Sequence, residues 1–206
     1  MTGHPDDPDR YETPAEPRRG EVRIRASRFI ATVTPVCTGE EARRTLDEIS
    51  REMHDATHHC WAWRLCSGEQ AASDAGEPSG TAGRPILAAI SSAGLVDLQV
   101  VVTRYFGGTK LGTGGLARAY REAAALVLEE TPHRIRYHKS ELEVTFGFPQ
   151  TGVVEPLVSR FEAVKLESDY GEAVRLRLAV RRSLASKLAT LLGEALRDPS
   201  AVQLVD

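Results

Sequence analysis

Apolar positions along this chain follow two successive patterns. From Glu21, Val22 and Ile24 alternate with Arg23 and Arg25, the period-two pattern of a strand with one face in solvent. Thr38 with Glu41 makes a capping box, and Ala42, Leu46, Ile49 and Met53 then recur at helical spacing. The segment His58–Leu65 (HHCWAWRL) is rich in strand formers, with His58 and Cys60 on one face and His59 and Trp61 on the other. Val100, Val101 and Val102 are apolar on both faces, which suits a central strand covered on both sides. Beyond it, Gly107, Gly108, Gly112, Gly114 and Gly115 permit positive φ or close backbone approach. A helix follows, with Thr113 as its expected cap and Leu116, Ala119, Tyr120, Ala123 and Val127 on one face. Between these elements, Ser67 to Gly83 reads as a loop whose carboxylates Asp74 and Glu77 stand among Gly76, Pro78, Gly80 and Gly83. Thr81 is the expected cap of a short helix with Pro85 in its first turn, Ile86, Leu87 and Ile90 inward and Gly94 at its end.

From Lys139 the pattern becomes strand, helix, strand, strand, helix, strand. Leu142, Val144, Phe146 and Phe148 alternate with polar residues, and Val153, Val154, Leu157, Val158 and Phe161 form a helical stripe in which Pro156 belongs in the first turn. Strands over Val164–Leu166 and Val174–Val180, a helix capped by Ser183 with Leu184, Leu188, Leu191 and Ala195 inward, and a strand over Ala201–Val205 complete a βαββαβ order. The outer face of that sheet carries Glu141, Glu143, Lys165, Glu167, Arg175 and Arg177 and none of the stacking aromatics of an RNA-recognition sheet. The expected fold class is therefore α+β in two domains, residues 21–136 and 139–206. Residues 1–20, with four prolines and few aliphatic side chains, read as a disordered tail.

Charge and composition narrow the function. The net charge is −3 over 206 residues, and neither expected domain has the basic excess of a DNA-binding module, so no DNA specificity is expected. Three cysteines without a CxxC pair argue for a reducing compartment, and no apolar run reaches membrane-spanning length. A cytoplasmic protein with no membrane partner is expected.

The candidate chemistry centres on the glycine segment. Arg104, Lys110 and the amides of Gly107, Gly108 and Gly112 could cradle an anion at a helix N-terminus. The alternative is a tight turn that only permits close packing. Gly112, Gly114 and Ala117 match G-x-G-x-x-A, but no acidic residue ends a second parallel strand to hold a ribose, and a phosphate loop of the G-x-x-x-x-G-K type is absent. His58, His59 and Cys60, with Cys37, Cys66 and His54 elsewhere, lack a recognised zinc spacing, so no metal or cofactor is assigned. A histidine with Asp74 or Glu77 could form an acid–base pair, with water as the nucleophile. No catalytic residue is assigned, and a non-enzymatic protein is favoured.

Taken together, HHCWAW (His58–Trp63), SDAGEPSGTAGRPIL (Ser73–Leu87) and VVVTRYFGGTKLGTGGLARAY (Val100–Tyr120) closely resemble the YigZ/IMPACT family. TGVVEPLV (Thr151–Val158) and SDY (Ser168–Tyr170) resemble the C-terminal domain of its bacterial members. The resemblance implies an N-terminal two-layer α/β domain resembling domain IV of elongation factor G and a C-terminal ferredoxin-like domain resembling domain V. It also implies a link to translational control, which eukaryotic IMPACT proteins exert by binding the coactivator of a kinase that acts on an initiation factor. Ala75 departs from the family pattern, which implies a second acid there.

The expectation is a translation-associated protein that binds RNA or the ribosome through an anion-binding surface of the N-terminal domain. Arg104, Gly107, Gly108, Lys110 and Gly112 make the contacts, and His58, His59, Asp74, Gly76, Glu77 and Thr81 support them. Two alternatives stay open: a small hydrolase or transferase acting on a phosphorylated metabolite, and an adaptor that binds a protein partner.

Overall fold

The computed structural model describes residues 7–205. In chain order it contains β1 (Arg10–Pro14), β2 (Arg18–Ile24), β3 (Ser27–Pro35), α1 (Gly39–Glu52), β4 (His58–Arg64), β5 (Gln70–Ser73), α2 (Gly83–Ala93), β6 (Leu98–Tyr105), α3 (Gly112–Glu129) and β7 (His133–Tyr137). β8 (Lys139–Phe146), α4 (Thr151–Arg160), β9 (Val164–Tyr170), β10 (Val174–Arg181), α5 (Arg182–Leu196) and β11 (Val202–Val205) follow. One unit comprises residues 11–136; the other joins the stretch ending at Arg10 to the chain from Tyr137 onward.

In the first unit, β6 is the middle of a five-stranded sheet ordered β2-β3-β6-β4-β5. Val100 and Val102 face α2 and α3 in a core with Phe29, Cys60, Ile86, Ile90, Tyr120 and Val127, while Val101 packs with Ile49 of α1 and Met53 just past its end on the opposite face. That two-sided cover is why the segment is apolar at successive positions. In α1, Thr38 accepts from the Glu41 amide at 3.1 Å; the Glu41 carboxylate reaches one residue further back, to the Cys37 amide. Gly94 closes α2 in the left-handed conformation.

The second unit is a four-stranded sheet ordered β11-β8-β10-β9 under α4 and α5, the βαββαβ order of a ferredoxin-like fold. Pro156 lies inside α4 rather than in its first turn, because the helix starts at Thr151. The register of β9 slips against β10 between Arg177 and Leu178, so Lys165 stands opposite Leu178 and bonds Glu155 of α4 at 2.6 Å. Lys165 therefore leaves the charged outer face on which simple alternation placed it.

The reading of residues 1–20 as a disordered tail fails for 7–20; residues 1–6 lie outside the described residues. β1 pairs with β7, the Ala15 amide donates to Pro132 O at 2.7 Å, and Thr13 and Pro14 are buried. The Asp9 carboxylate accepts from the amide and hydroxyl of Ser183 at 2.9 and 2.6 Å, and Asp7 pairs with Arg181 at 2.7 Å. Backbone pairing and polar capping order this stretch, and composition registers neither. Ser183 is correspondingly the recipient of a cap and not its source, and the buried face of α5 runs through Ala185, Leu188, Leu192 and Leu196. Between Ser67 and Gly83 the structure adds β5, which pairs with β4 from Trp61↔Ser73 to Arg64↔Gln70.

Candidate functional site

The loop after β5 is shaped by its backbone before any side chain acts. The Glu77 amide donates to Asp74 O at 2.9 Å across a turn whose central residues, Ala75 and Gly76, both have positive φ (43° and 90°). Such a turn admits Asn, Asp or Gly at its centre without strain, and Ala less well. The acid that the family pattern implies at position 75 thus has a conformational reason to be there, independent of any metal. A Cβ at Gly76 would also lie 3.3 Å from the His58 ring, so that ring would have to shift by a few tenths of an ångström to admit it.

The Asp74 side chain, half-buried, caps α2 from a distance. Its oxygens accept from the amides of Gly80, Ala82 and Gly83 at 2.7, 2.8 and 2.9 Å. Burial raises its pKa, but these three donors and the nearby Arg84 outweigh that and hold the carboxyl below its ordinary value. Thr81, expected as this cap, is buried and donates to Pro78 O at 2.6 Å, so it stiffens the loop instead.

The same loop delivers Glu77 into the protein beneath the glycine segment. One carboxylate oxygen of Glu77 receives Arg104 Nη1 at 2.6 Å and Tyr120 Oη at 2.8 Å, and His58 Nε2 lies 3.9 Å away. Arg104 and Glu77 have side-chain exposures of 6% and 4%. Arg104 Nη2 also reaches Ser27 Oγ at 3.3 Å, while its Nε has no hydrogen-bond partner. Cys60 Sγ lies 2.9 Å from Asp74 O and 3.3 Å from Tyr120 Oη. Burial pushes the Cys60 thiol up to about 12 and the Tyr120 hydroxyl further still, so both stay protonated and uncharged beside Glu77.

Arg104, expected as an exposed anion contact, is thus a buried cation neutralised by Glu77. Its guanidinium sits 5.4 Å from the Phe29 ring and 5.3 Å from the Phe106 ring. The expected supporting residues converge in part: Gly76 and Glu77 meet His58, whose Nδ1 lies 2.9 Å from Ala75 O, while the Asp74 side chain serves the start of α2. His59 is on the other face of β4, 3.1 Å from Thr103 Oγ1, with its pKa lowered chiefly by burial. Tyr120, Cys60 and Ser27 complete the network and are additions to the expected set. A tyrosine in an otherwise aliphatic helix stripe was the available signal, because a buried hydroxyl needs a partner.

The glycine segment stands above this network. Gly107 has no room for a side chain, since a Cβ would overlap the carbonyl of Ala26 in the β2–β3 turn, and its amide lies 3.4 Å from Ser27 Oγ. Gly108 and Gly112 have φ of 85° and 71° and are exposed. Lys110 is exposed, and its carbonyl accepts from the exposed Arg25 at 3.4 Å. α3 begins at Gly112 with no side-chain cap, so Thr113 lies inside the first turn and does not cap it. Among the described residues no group of three or more His, Cys, Asp and Glu side chains is placed to hold a metal. Nor is any helix among them long and apolar enough to cross a membrane.

The IMPACT N-terminal domain model matches residues 25–128, the span that holds every residue of this site, and a domain of unknown function (DUF1949) matches residues 144–198. The chain belongs to the IMPACT family. It is 31% identical to IMPACT family member YigZ of Escherichia coli over 185 residues, which covers 88% of this chain and 91% of that protein. To IMPACT family member YvyE of Bacillus subtilis it is 32% identical over 195 residues, covering 94% and 90%. A crystal structure of a hypothetical protein superposes with a TM-score of 0.71 at 30% identity, covering 96% of this chain and 97% of that one. The matches to YigZ and YvyE extend across both units of the present chain.

Proposed function

We propose that this IMPACT family protein is a translation-associated, non-enzymatic RNA- or ribosome-binding protein whose contact surface is the segment Phe106–Gly112 with Arg25 from the β2–β3 turn. The observation that carries the reading is the exposed, glycine-built loop that brings Lys110 and Arg25 together at the end of the central strand. Positive side chains with unencumbered backbone amides at a helix start are the equipment for phosphate oxygens. The buried Arg104–Glu77 pair supports the loop from below and takes no part in contact. The elongation-factor-like domains that the family resemblance implies favour a partner within the translation apparatus.

Fluorescence anisotropy with labelled RNA across a salt series, with ribosome co-sedimentation alongside, tests this. Wild-type affinity should fall with salt, and Lys110→Glu should weaken binding across RNA sequences and reduce the salt slope by about one. A wild-type protein that shows no salt-dependent RNA or ribosome association ends the proposal.

A second reading, as a hydrolase or transferase acting on a phosphorylated metabolite, is favoured by one observation. Donation from His58 Nδ1 to Ala75 O leaves Nε2 to face Glu77, the arrangement of an oriented base. A thermal-shift screen against nucleotides and sugar phosphates separates the readings, and uniform silence counts against this one.

A further inference from the structure

We infer that Phe106 is a stacking platform for an unpaired base, so that the ligand of this surface is single-stranded RNA. This deepens, and rests on, the RNA reading above. Phe106 is 45% exposed at the start of the loop, yet it is not a loose side chain. Its amide donates to Thr57 Oγ1 at 3.0 Å, and its ring lies against the Arg104 guanidinium, which Glu77 and Ser27 hold from the other end. The next two residues are Gly107 and Gly108, which have no side chain to cover the ring.

The neighbouring aromatic shows the contrast. Tyr105 is already occupied, with Arg28 stacked 4.3 Å over its ring and its hydroxyl bonded to Asp55 at 3.0 Å. Phe106 instead presents an apolar face pre-organised on a buried cation, beside the exposed charges of Lys110 and Arg25. An aromatic ring next to cations that track a phosphate backbone is how single strands are bound without sequence readout. The bases of a duplex are already stacked on one another and cannot use such a platform. Charge complementarity selects a polyanion, and the free ring face selects an unpaired one.

The test uses the full chain with a labelled oligouridine strand and a blunt RNA duplex of equal length. Wild type should bind the single strand more tightly than the duplex. Phe106→Leu should lose about tenfold in single-strand affinity, within the range measured per stacked base, with an unchanged salt slope. Phe106→Trp should retain binding, and Lys110→Glu should lower the slope. If Phe106→Leu binds like wild type while Lys110→Glu is weakened, the stacking role is overturned and the anion surface stands. Equal affinity for strand and duplex also overturns it. If wild type binds neither RNA, the proposed function fails and this inference with it.

Discussion

Replacing Glu77 with Gln keeps the side-chain volume and removes the charge that neutralises Arg104. Both partners are more than nine-tenths buried and meet at 2.6 Å, so the substitution leaves a guanidinium stranded out of water. Breaking such a buried pair costs about 3–5 kcal/mol, because the remaining charge keeps its desolvation penalty and loses its compensation. Arg104 has little else to rely on: Ser27 Oγ at 3.3 Å, two aromatic rings, and an Nε already without a partner. Gln retains a carbonyl that Arg104 or Tyr120 can use, which places the expected loss near the lower end, about 3 kcal/mol. The assay is built into the chain. Its two tryptophans are Trp61 and Trp63, both on β4, so tryptophan fluorescence during urea unfolding reports the unit of residues 11–136 alone. Linear extrapolation of that transition yields the stability difference. The double variant Glu77→Gln, Arg104→Met removes the stranded charge and should recover most of the loss, since apolar replacement of a buried pair is often neutral. A loss under about 1 kcal/mol for Glu77→Gln, or a double variant less stable than the single, would refute the account of Arg104 as a buried cation dependent on Glu77.

Two further outcomes follow from the same loops. Asp74→Ala should destabilise the unit by about 1–2 kcal/mol at neutral pH through loss of the α2 cap. Because the folded-state pKa of Asp74 is depressed, its contribution is full above the ordinary carboxylate pKa and is lost as pH falls through the depressed value. Urea midpoints of wild type and variant, read by fluorescence, should therefore converge on acidification, and a constant gap down to the acid limit contradicts the assignment. Gly107→Ala should lower the fluorescence-monitored midpoint more than Gly108→Ser does, although Gly108 has the positive φ, because only at Gly107 does a Cβ overlap backbone.

What could be read from residues alone depended on whether the cause was local. Side-chain periodicity marked α1, the buried face of α3, the two-sided β6 and the order of the second unit, since each follows from burial of its own residues. β1 and β7 are held by backbone pairing with each other across more than a hundred residues, and β5 pairs with its neighbour β4 through QAAS at Gln70–Ser73, which has no apolar alternation to betray it. The caps misled for the same reason. Ser or Thr beside a helix predicts Thr81 and Ser183 as caps, whereas α2 is capped by Asp74 from nine residues before Gly83 and Ser183 by Asp9, 174 residues earlier. Nothing near Arg104 in the sequence marks it as buried rather than an anion contact, because its partner Glu77 lies 27 residues back, in a stretch that resembles a linker.

Moving Arg104 into the interior changes what an anion would feel. A cation paired at 2.6 Å with a carboxylate presents little net field beyond the protein surface, so attraction falls to Lys110, Arg25 and the amides at the start of α3. At physiological ionic strength that attraction is screened within about 8 Å. The chain as a whole carries −3, so it has no long-range positive field to steer a polyanion. A nucleic-acid contact on this protein must then depend on short-range interactions that salt does not abolish, and an exposed ring fixed by a buried ion pair supplies one. On this argument the Arg104–Glu77 pair contributes to binding through the rigidity of Phe106 and not through charge. The double variant Glu77→Gln, Arg104→Met, which keeps the net charge while removing the ion pair, should accordingly weaken RNA binding without altering its salt slope.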